Sequence, residues 1–431
     1  MPTIAYPRLA KIRQHFPNPK IHNATAAVEA EIRRILQAAN IRPGMKVGIT
    51  AGSRGIQNIV PMLKAAARTV REFNAEPVFL AAMGSHGGGT EAGQLDIMAS
   101  FGMTAEALGA PVIPCAKGRE LGVTERGLHA YMLESAFNVD AIIPFNRIKT
   151  HTSFKGDIES GLIKKLVVGL GGPQGARQFH SQGKASDLSP LLRDVGELIL
   201  QKMPVIGGVA IIENAYEETA LIKGIIKDGL LREEMKLLAY SKTLMPSLPV
   251  KNLDALIVEE LGKNYSGTGF DTNIVGRMCI QGEEEPKEPF IRYLAVWDLA
   301  EEAHGNAYGM GLADFTTKKL VDKIDKKSTY LNSLTTTFPM RVKIPLHLDT
   351  EKEVFEAVLR CLEGSVPPEK VRLAVIPNTL FLTECYISEA LLPEITEGGH
   401  AEILETPVEI SFDQRGDMRP RVGKHPPERP H

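Results

Sequence analysis

KVGITAGSRGIQNIVPMLKAAARTVREFNAEPVFLAAMGSHGGG, residues Lys46 to Gly89, decides how this chain folds. Lys46 to Thr50 (KVGIT) is a short apolar run that reads as a strand and ends in the loop AGSRG. Residues 57–73 follow with apolar positions at helical spacing. Pro77 to Ala82 (PVFLAA) is a second strand, and it runs into MGSHGGG. Strand, loop, helix and strand in that order make a βαβ unit, which predicts a mostly parallel sheet. Ligands of such sheets bind beyond the carboxyl ends of the strands, where both glycine loops fall.

The same alternation extends outward. Residues 26–39 read as a helix closed by the turn Arg42-Pro43-Gly44, and another helix is expected from about Thr90 to Phe101. Pro111 to Cys115 and Ala141 to Phe145 are further strands. Beyond about Leu248 the texture changes. LDALIVE (Leu253 to Glu259) leads into the loop GKNYSGTGFDTNIVGR, then IRYLAVWDL, a helix near residues 351–363 and a strand at Val371 to Ile376. The expectation is an α/β protein of two domains. Residues 1–250 form a mostly parallel, Rossmann-like sheet with helices on both faces, carrying cofactor and chemistry. Residues 251–431 form a smaller α/β domain that closes over the site. The last ~20 residues, ending RVGKHPPERPH, are expected to be loose.

Composition removes several classes of function. A chain of 431 residues suits two domains, and 43% apolar with 24% charged residues is an ordinary soluble balance. The net charge is −2 and the basic residues are dispersed, which leaves no electrostatic footprint for nucleic acid or an anionic membrane. The four cysteines (Cys115, Cys279, Cys361, Cys385) form no CxxC pair, so a zinc or disulfide framework is not expected. The start, MPTIAYPRLAKIRQHF, lacks a signal-peptide core, and no apolar run approaches membrane-spanning length. A cytoplasmic protein is expected.

A second stretch carries the chemistry: NRIKTHTSFKGDIESGLIKKLVVGLGGPQGARQFHSQG, residues Asn146 to Gly183. It sets His151, the twin lysines Lys164 and Lys165, a run of glycines and His180 along one segment. No single motif is specific. GSHGGG matches neither GxGxxG nor GxxxxGK[ST], yet His86 sits at a strand end with glycines clearing space around it. Arg54 is either a solvated loop arginine or a guanidinium aimed at a carboxylate, which its planar fork suits. A lone His151 would more often be structural. Lys164 and Lys165, between apolar neighbours, either snorkel or are held in a site. His180 could ligate a metal, although one histidine is not a metal site. Lys263 and Asp271 are the candidates from the second domain, in residues that also make good turns.

The set resembles the nickel-pincer-nucleotide lactate racemase family, the 2-hydroxyacid racemases and epimerases. In that family a lysine in a segment of type FSGGxK carries a pyridinium nucleotide through a thioamide, and one histidine adds to the nickel ligands of the cofactor. Here ESGLIKKLVVGLGG puts Lys164 at that position, and His180 lies sixteen residues on (164 to 180), the spacing the family keeps. The resemblance implies that His86 (GSHG against the family's GTH) and His151 handle protons. It places Arg54 at the arginine of the DxTR loop, holding the substrate, and Lys263 as a substrate-side lysine. It also implies cofactor maturation enzymes as partners. Three departures stand out: Ala51 replaces the acidic residue of the DxTR loop, Leu162 the second glycine of FSGGxK, and the interval from His151 to the lysine is longer. These imply a differently shaped pocket and leave the identity of the hydroxy acid open. Lys165 remains an alternative tether.

The chemistry explains such a set. The C2 hydrogen of a 2-hydroxy acid sits on a poor carbon acid beside a carboxylate. Removing hydride while a base takes the hydroxyl proton gives a planar keto acid that can be re-reduced on either face. Two histidines, one per face, serve that symmetry near neutral pH, and the hydride acceptor must be a cofactor. The rival readings are a nucleotide- or phosphate-binding protein without redox chemistry and, lower, a nicotinamide dehydrogenase, for which AGSRG lacks the GxGxxG.

Overall fold

The first strand of the chain, β1 (Arg8–Gln14), finds its partners at the far end of the sequence. The computed structural model describes residues 5–53, 55–181 and 184–423. Two compact units emerge: residues 17–245, and residues 1–16 together with 246–431. The sequence expectation ran the first domain from residue 1 to 250, and β1 is where this differs. Its Leu9, Ala10 and Ile12 are fully buried, while Lys11 and Arg13 lie 3.0 and 2.7 Å from the carboxylate of Glu384. Such cross-strand charge pairs and apolar contacts can be satisfied only beside the strand that carries Glu384.

In the unit of residues 17–245, β2 (Lys46–Ala51) pairs in parallel with β3 (Glu76–Ala81), and β3 with the short β4 (Val112–Ile113). An antiparallel hairpin of β5 (Gly118–Val123) and β6 (His129–Leu133) follows. Then β7 (Ala141–Ile143) joins β2 on its other side, again in parallel. The order is therefore β4-β3-β2-β7, a parallel sheet in which the order reverses at β2. Pro144 interrupts the strand expected over residues 141–145. Past it, β8 (Phe145–Arg147) pairs with β9 (Gly207–Glu213), which is antiparallel to β10 (Thr219–Ile226). A proline cannot donate to a ladder, and here it separates two sheets.

Helix Ala24–Ala38 starts where Asn23 Oδ1 accepts the Ala26 N–H, and it buries Val28, Ile32, Ile35 and Leu36. Helix Ile59–Glu72 buries Met62 and Leu63 with the small Ala65, Ala66 and Ala67. Both share one core with Val47, Ile49, Phe79 and Ile143, while Leu80 and Ile142 are fully buried on the opposite face of the sheet. Burial on both faces is what a parallel sheet requires.

The other unit holds the larger sheet: β11 (Asn252–Leu261), β12 (Phe290–Leu299), β13 (Phe315–Thr317), β14 (Leu346–Leu348), β15 (Leu373–Ile376), β16 (Glu384–Ser388) and β17 (Ala401–Glu409), in the order β14-β13-β12-β11-β15-β16-β1-β17. Alternation along β11 divides its side chains, Leu256 and Val258 entering one core and Ala255 and Ile257 the other. Of the tail, the residues up to 423 are anchored, and residues 424–431 lie outside the described residues. Glu351, buried, accepts the Met418 N–H and the Arg421 guanidinium at 2.8 and 2.6 Å, and Glu259 accepts the Val422 N–H at 2.8 Å. Fully buried Met418 completes the anchor.

Candidate active site

Both glycine loops open at the carboxyl ends of parallel strands. After β2 come Gly52 and Ser53, and after β3 comes Met83–Gly89, with His86 exposed in it. Ser53 Oγ and His86 Nδ1 share a short hydrogen bond that ties one loop to the other. Arg54 lies outside the described residues. The glycine turn over Gly87–Gly89 feeds helix Glu91–Ser100, but this helix start is closed by its own residues: Thr90 Oγ1 accepts the Gly93 N–H, and Glu91 adds a negative charge. It is poorly made for a phosphate, which needs free N–H groups and no anion.

The lysine segment packs against these loops. Gly84 donates its N–H to Gly169 O at 3.1 Å. Residues Leu162–Lys164 form one α-turn, and the chain then widens into a π-turn over Lys165–Gly169, closed by Leu170 N–H on Lys165 O at 2.9 Å. Such π-turns are rare and cluster at functional sites. The two lysines diverge. Lys164 Nζ stands 5.8 Å from the ring centre of Phe154 and 5.6 Å from that of Phe179. Lys165 Nζ instead reaches the strand ends, donating to Ala82 O at 3.3 Å.

His180 ends helix Gly172–His180, its ring edge-on to Phe179 at 5.2 Å. Burial, aided by the Lys164 charge, lowers its pKa to about 4, so the imidazole is neutral near pH 7 and offers a lone pair. His151 stacks on Phe154 at 4.3 Å, and its Nδ1 accepts the Ser153 N–H at 3.0 Å. That bond places the proton of neutral His151 on Nε2. Phe154 and Phe179 thus form a wall touched by His151, Lys164 and His180 alike. Lys263 stands in the other unit, where its Nζ donates to Asn332 Oδ1 at 2.7 Å and lies 5.9 Å from the Tyr308 ring centre. Asp271 there accepts the Asn273 N–H at 2.9 Å and starts a one-turn helix.

Among solved structures, the chain is similar to the lactate racemase apoprotein from Thermoanaerobacterium thermosaccharolyticum. The TM-score is 0.51 at 11% identity, covering 87% of this chain and 99% of that one. The fold is lactate racemase-like. A second similarity, to a protein from Thermotoga maritima, has a TM-score of 0.47 at 14% identity and covers 63% of this chain and 70% of that one. No protein-family model matches the chain, and no curated protein matches it.

Within this lactate racemase-like fold, three residues that the sequence did not single out hold the segment in place, and two of them share a helix. Glu234, fully buried on helix Leu230–Thr243, accepts the Leu162 and Ile163 N–H groups at 2.9 Å each, capping the turn that carries the lysines. A Cβ on Gly161 would meet Glu234 Oε1 at 2.1 Å, so glycine is the residue that admits the carboxyl. Burial raises the Glu234 pKa to about 7 against the two N–H bonds, which pull it down. Lys242, two turns along the same helix, lies 2.9 Å from buried Glu159, which accepts the His151 N–H at 2.6 Å. Glu159 and Glu234 lie in ordinary charged contexts, DIES and REEM, and nothing local marks them as buried. No helix among the described residues is long and apolar enough to cross a membrane.

Proposed function

We propose that this protein is a racemase or epimerase that inverts C2 of a 2-hydroxy acid, using a nickel-pincer nucleotide carried on Lys164. The observation that carries the reading is the meeting of Lys164 and His180 on one aromatic wall, with the imidazole kept neutral by burial and by the lysine. The residues fit such a group. A metal prefers a neutral imidazole, and among the described residues no group of three or more His, Cys, Asp or Glu side chains is arranged to hold an ion. A metal here would need donors from a cofactor, as the pincer provides.

In this reading Lys164 Nζ tethers the nucleotide and His180 adds one nitrogen ligand. When bound, the group supplies a hydride acceptor, which no side chain can be. His151, protonated on Nε2, is set to donate to the substrate hydroxyl. His86, whose Nδ1 partner Ser53 can either donate or accept, takes the complementary role of base. Arg54 holds the substrate carboxylate. A phosphate-binding protein of the same fold is disfavoured by the self-capped start of helix Glu91–Ser100.

Protein co-expressed with cofactor-building enzymes should show a nucleotide mass adduct and nickel. Lys164→Ala should lose the adduct, whereas His180→Ala should keep it and bind nickel less firmly, because a covalent bond survives the loss of a metal ligand. An adduct retained in Lys164→Ala moves the tether to another residue. Neither adduct nor nickel in wild type would end the racemase reading.

A further inference from the structure

The loop that carries His151 is held by residues that neither the tether nor the metal ligand uses. Its foot is closed where Lys149 N–H donates to Ser160 O at 2.9 Å and Ser160 N–H donates to Lys149 O at 3.2 Å. Its back packs on helix Leu188–Lys202. Ile158 N–H donates to Ser189 Oγ at 3.2 Å, and a Cβ on Gly156 would lie 2.3 Å from Ser189 Cβ, so glycine is what lets the loop come this close. Inside the loop sits the Glu159 carboxylate, with none of its side chain exposed, accepting the His151 N–H at 2.6 Å and the Gly156 N–H at 3.4 Å. A carboxylate this deep is costly unless a cation meets it. Lys242 Nζ does so at 2.9 Å, reaching in from the last turn of helix Leu230–Thr243 with 42% of its side chain still exposed. Two bonds of the loop act on His151 itself: Glu159 fixes its backbone N–H, and the Ser153 N–H meets its Nδ1. The second depends on the first, because Ser153 lies two residues on, within the turn that Glu159 holds at 151 and 156.

We infer that Lys242 is a positioning residue for His151: by neutralising Glu159 it holds the turn over residues 151–156, and with it the bond that keeps the imidazole proton on Nε2. The inference rests on the proposed function, in which that proton goes to the substrate hydroxyl. A lysine that served only to end its own helix, where the dipole favours a cation, would act on neither the turn nor the tautomer.

The test is nitrogen NMR of the imidazoles in the histidine-labelled full chain in mildly alkaline buffer, with His151→Gln assigning the signal. Wild type should show the two His151 ring nitrogens far apart in shift, as a fixed Nε2–H tautomer requires. In Lys242→Met they should draw together as the tautomers exchange. In the cofactor-loaded protein, kcat for racemisation of lactate should fall about tenfold in that variant with KM little changed, the signature of a misplaced catalytic group. Lys242→Arg, which keeps the cation, should restore both readouts. Adding Glu159→Gln to Lys242→Met should recover most of the shift separation, because an amide oxygen still accepts the His151 N–H and no buried charge is left to neutralise. A tautomer unchanged in Lys242→Met overturns the inference. So does a double variant no better than Lys242→Met, since the lysine would then act through some other group. Should Lys242→Met fail to fold, a wild-type tautomer in the double variant supports the inference and an averaged one overturns it. Failure of the two readings is distinguishable. A tautomer that depends on Lys242 in a protein that takes up neither nucleotide nor nickel keeps the positioning and removes the racemase. A loaded racemase whose His151 tautomer ignores Lys242 does the reverse.

Discussion

Two lysine-bearing loops of this molecule are held in opposite ways. The loop around Lys263 is closed mainly by its own neighbours: Tyr265 and Ser266 donate their N–H groups to Gly262 O, Gly269 donates to Ser266 O, and Asp271 caps Asn273, with Asn332 accepting from Lys263 Nζ and Thr379 from the Asp271 N–H as the distant contacts. The segment around Lys164 and Lys165 is closed from a distance. Glu234 caps it from about seventy residues on, Ala82 O meets Lys165 from eighty-three residues back, and Lys242 secures the Glu159 that holds His151. A local turn needs only turn-forming residues, and thermodynamics alone explains it. Burying a carboxylate without a cation is costly. At Glu234 that cost is partly offset by two N–H bonds that fix the turn next to the lysines, and the rest of it shows as a raised pKa.

The difference is sharpest for Glu234. Glu234→Ala should destabilise the unit of residues 17–245 by about 4 kcal/mol, since it leaves two buried N–H groups unpaired and opens a small cavity. Chemical denaturation measures this. A loss below about 1 kcal/mol, the scale of an ordinary cap, would erase the contrast between the loops.

A smaller effect appears in the pH dependence. The folded-state pKa of Glu234 is raised from 4.5 to about 7, so the native state holds a proton that the unfolded chain releases. Wild-type stability from this group is therefore fully present below pH 4.5 and is lost as pH rises through about 7. The swing is about 3 kcal/mol. Glu234→Gln, which can still accept both N–H bonds, should flatten stability across that window. A slope unchanged in the glutamine variant would assign it to other groups.

The sequence made some of this legible and hid the rest for physical reasons. Strands β2 and β3, the helix between them and the loops beyond them follow from local periodicity, because both faces of those strands are buried and the loops need glycine. The spacing of Lys164 and His180 was also readable. The divergence of Lys164 and Lys165 was not, since it depends on a π-turn that no residue type announces. The assignment of β1 was hidden too: its charge partner Glu384 lies 371 residues from Arg13, and a strand's pattern does not name its neighbour. Pro144 could have been read as a break in the run Ala141 to Phe145. Buried Glu159 and Glu234 could not, because a glutamate's burial is decided by residues far along the chain.

The smallest effect is expected at the locally closed loop. Asp271 accepts the backbone N–H and the side-chain amide of Asn273, at 2.9 and 2.7 Å, and opens a helix of only one turn, Thr272–Val275. Asp271→Ala removes one cap. The freed Asn273 groups sit at partial exposure, where water can replace the lost acceptor. The loss should therefore be about 1 kcal/mol, with faster amide exchange confined to residues 272–276. Asp271→Asn, which keeps an acceptor oxygen in place, should recover most of it. If Asp271→Ala instead cost as much as Glu234→Ala, the loop around Lys263 would be held by more than its own turn chemistry, and the two loops would have to be regarded as built alike.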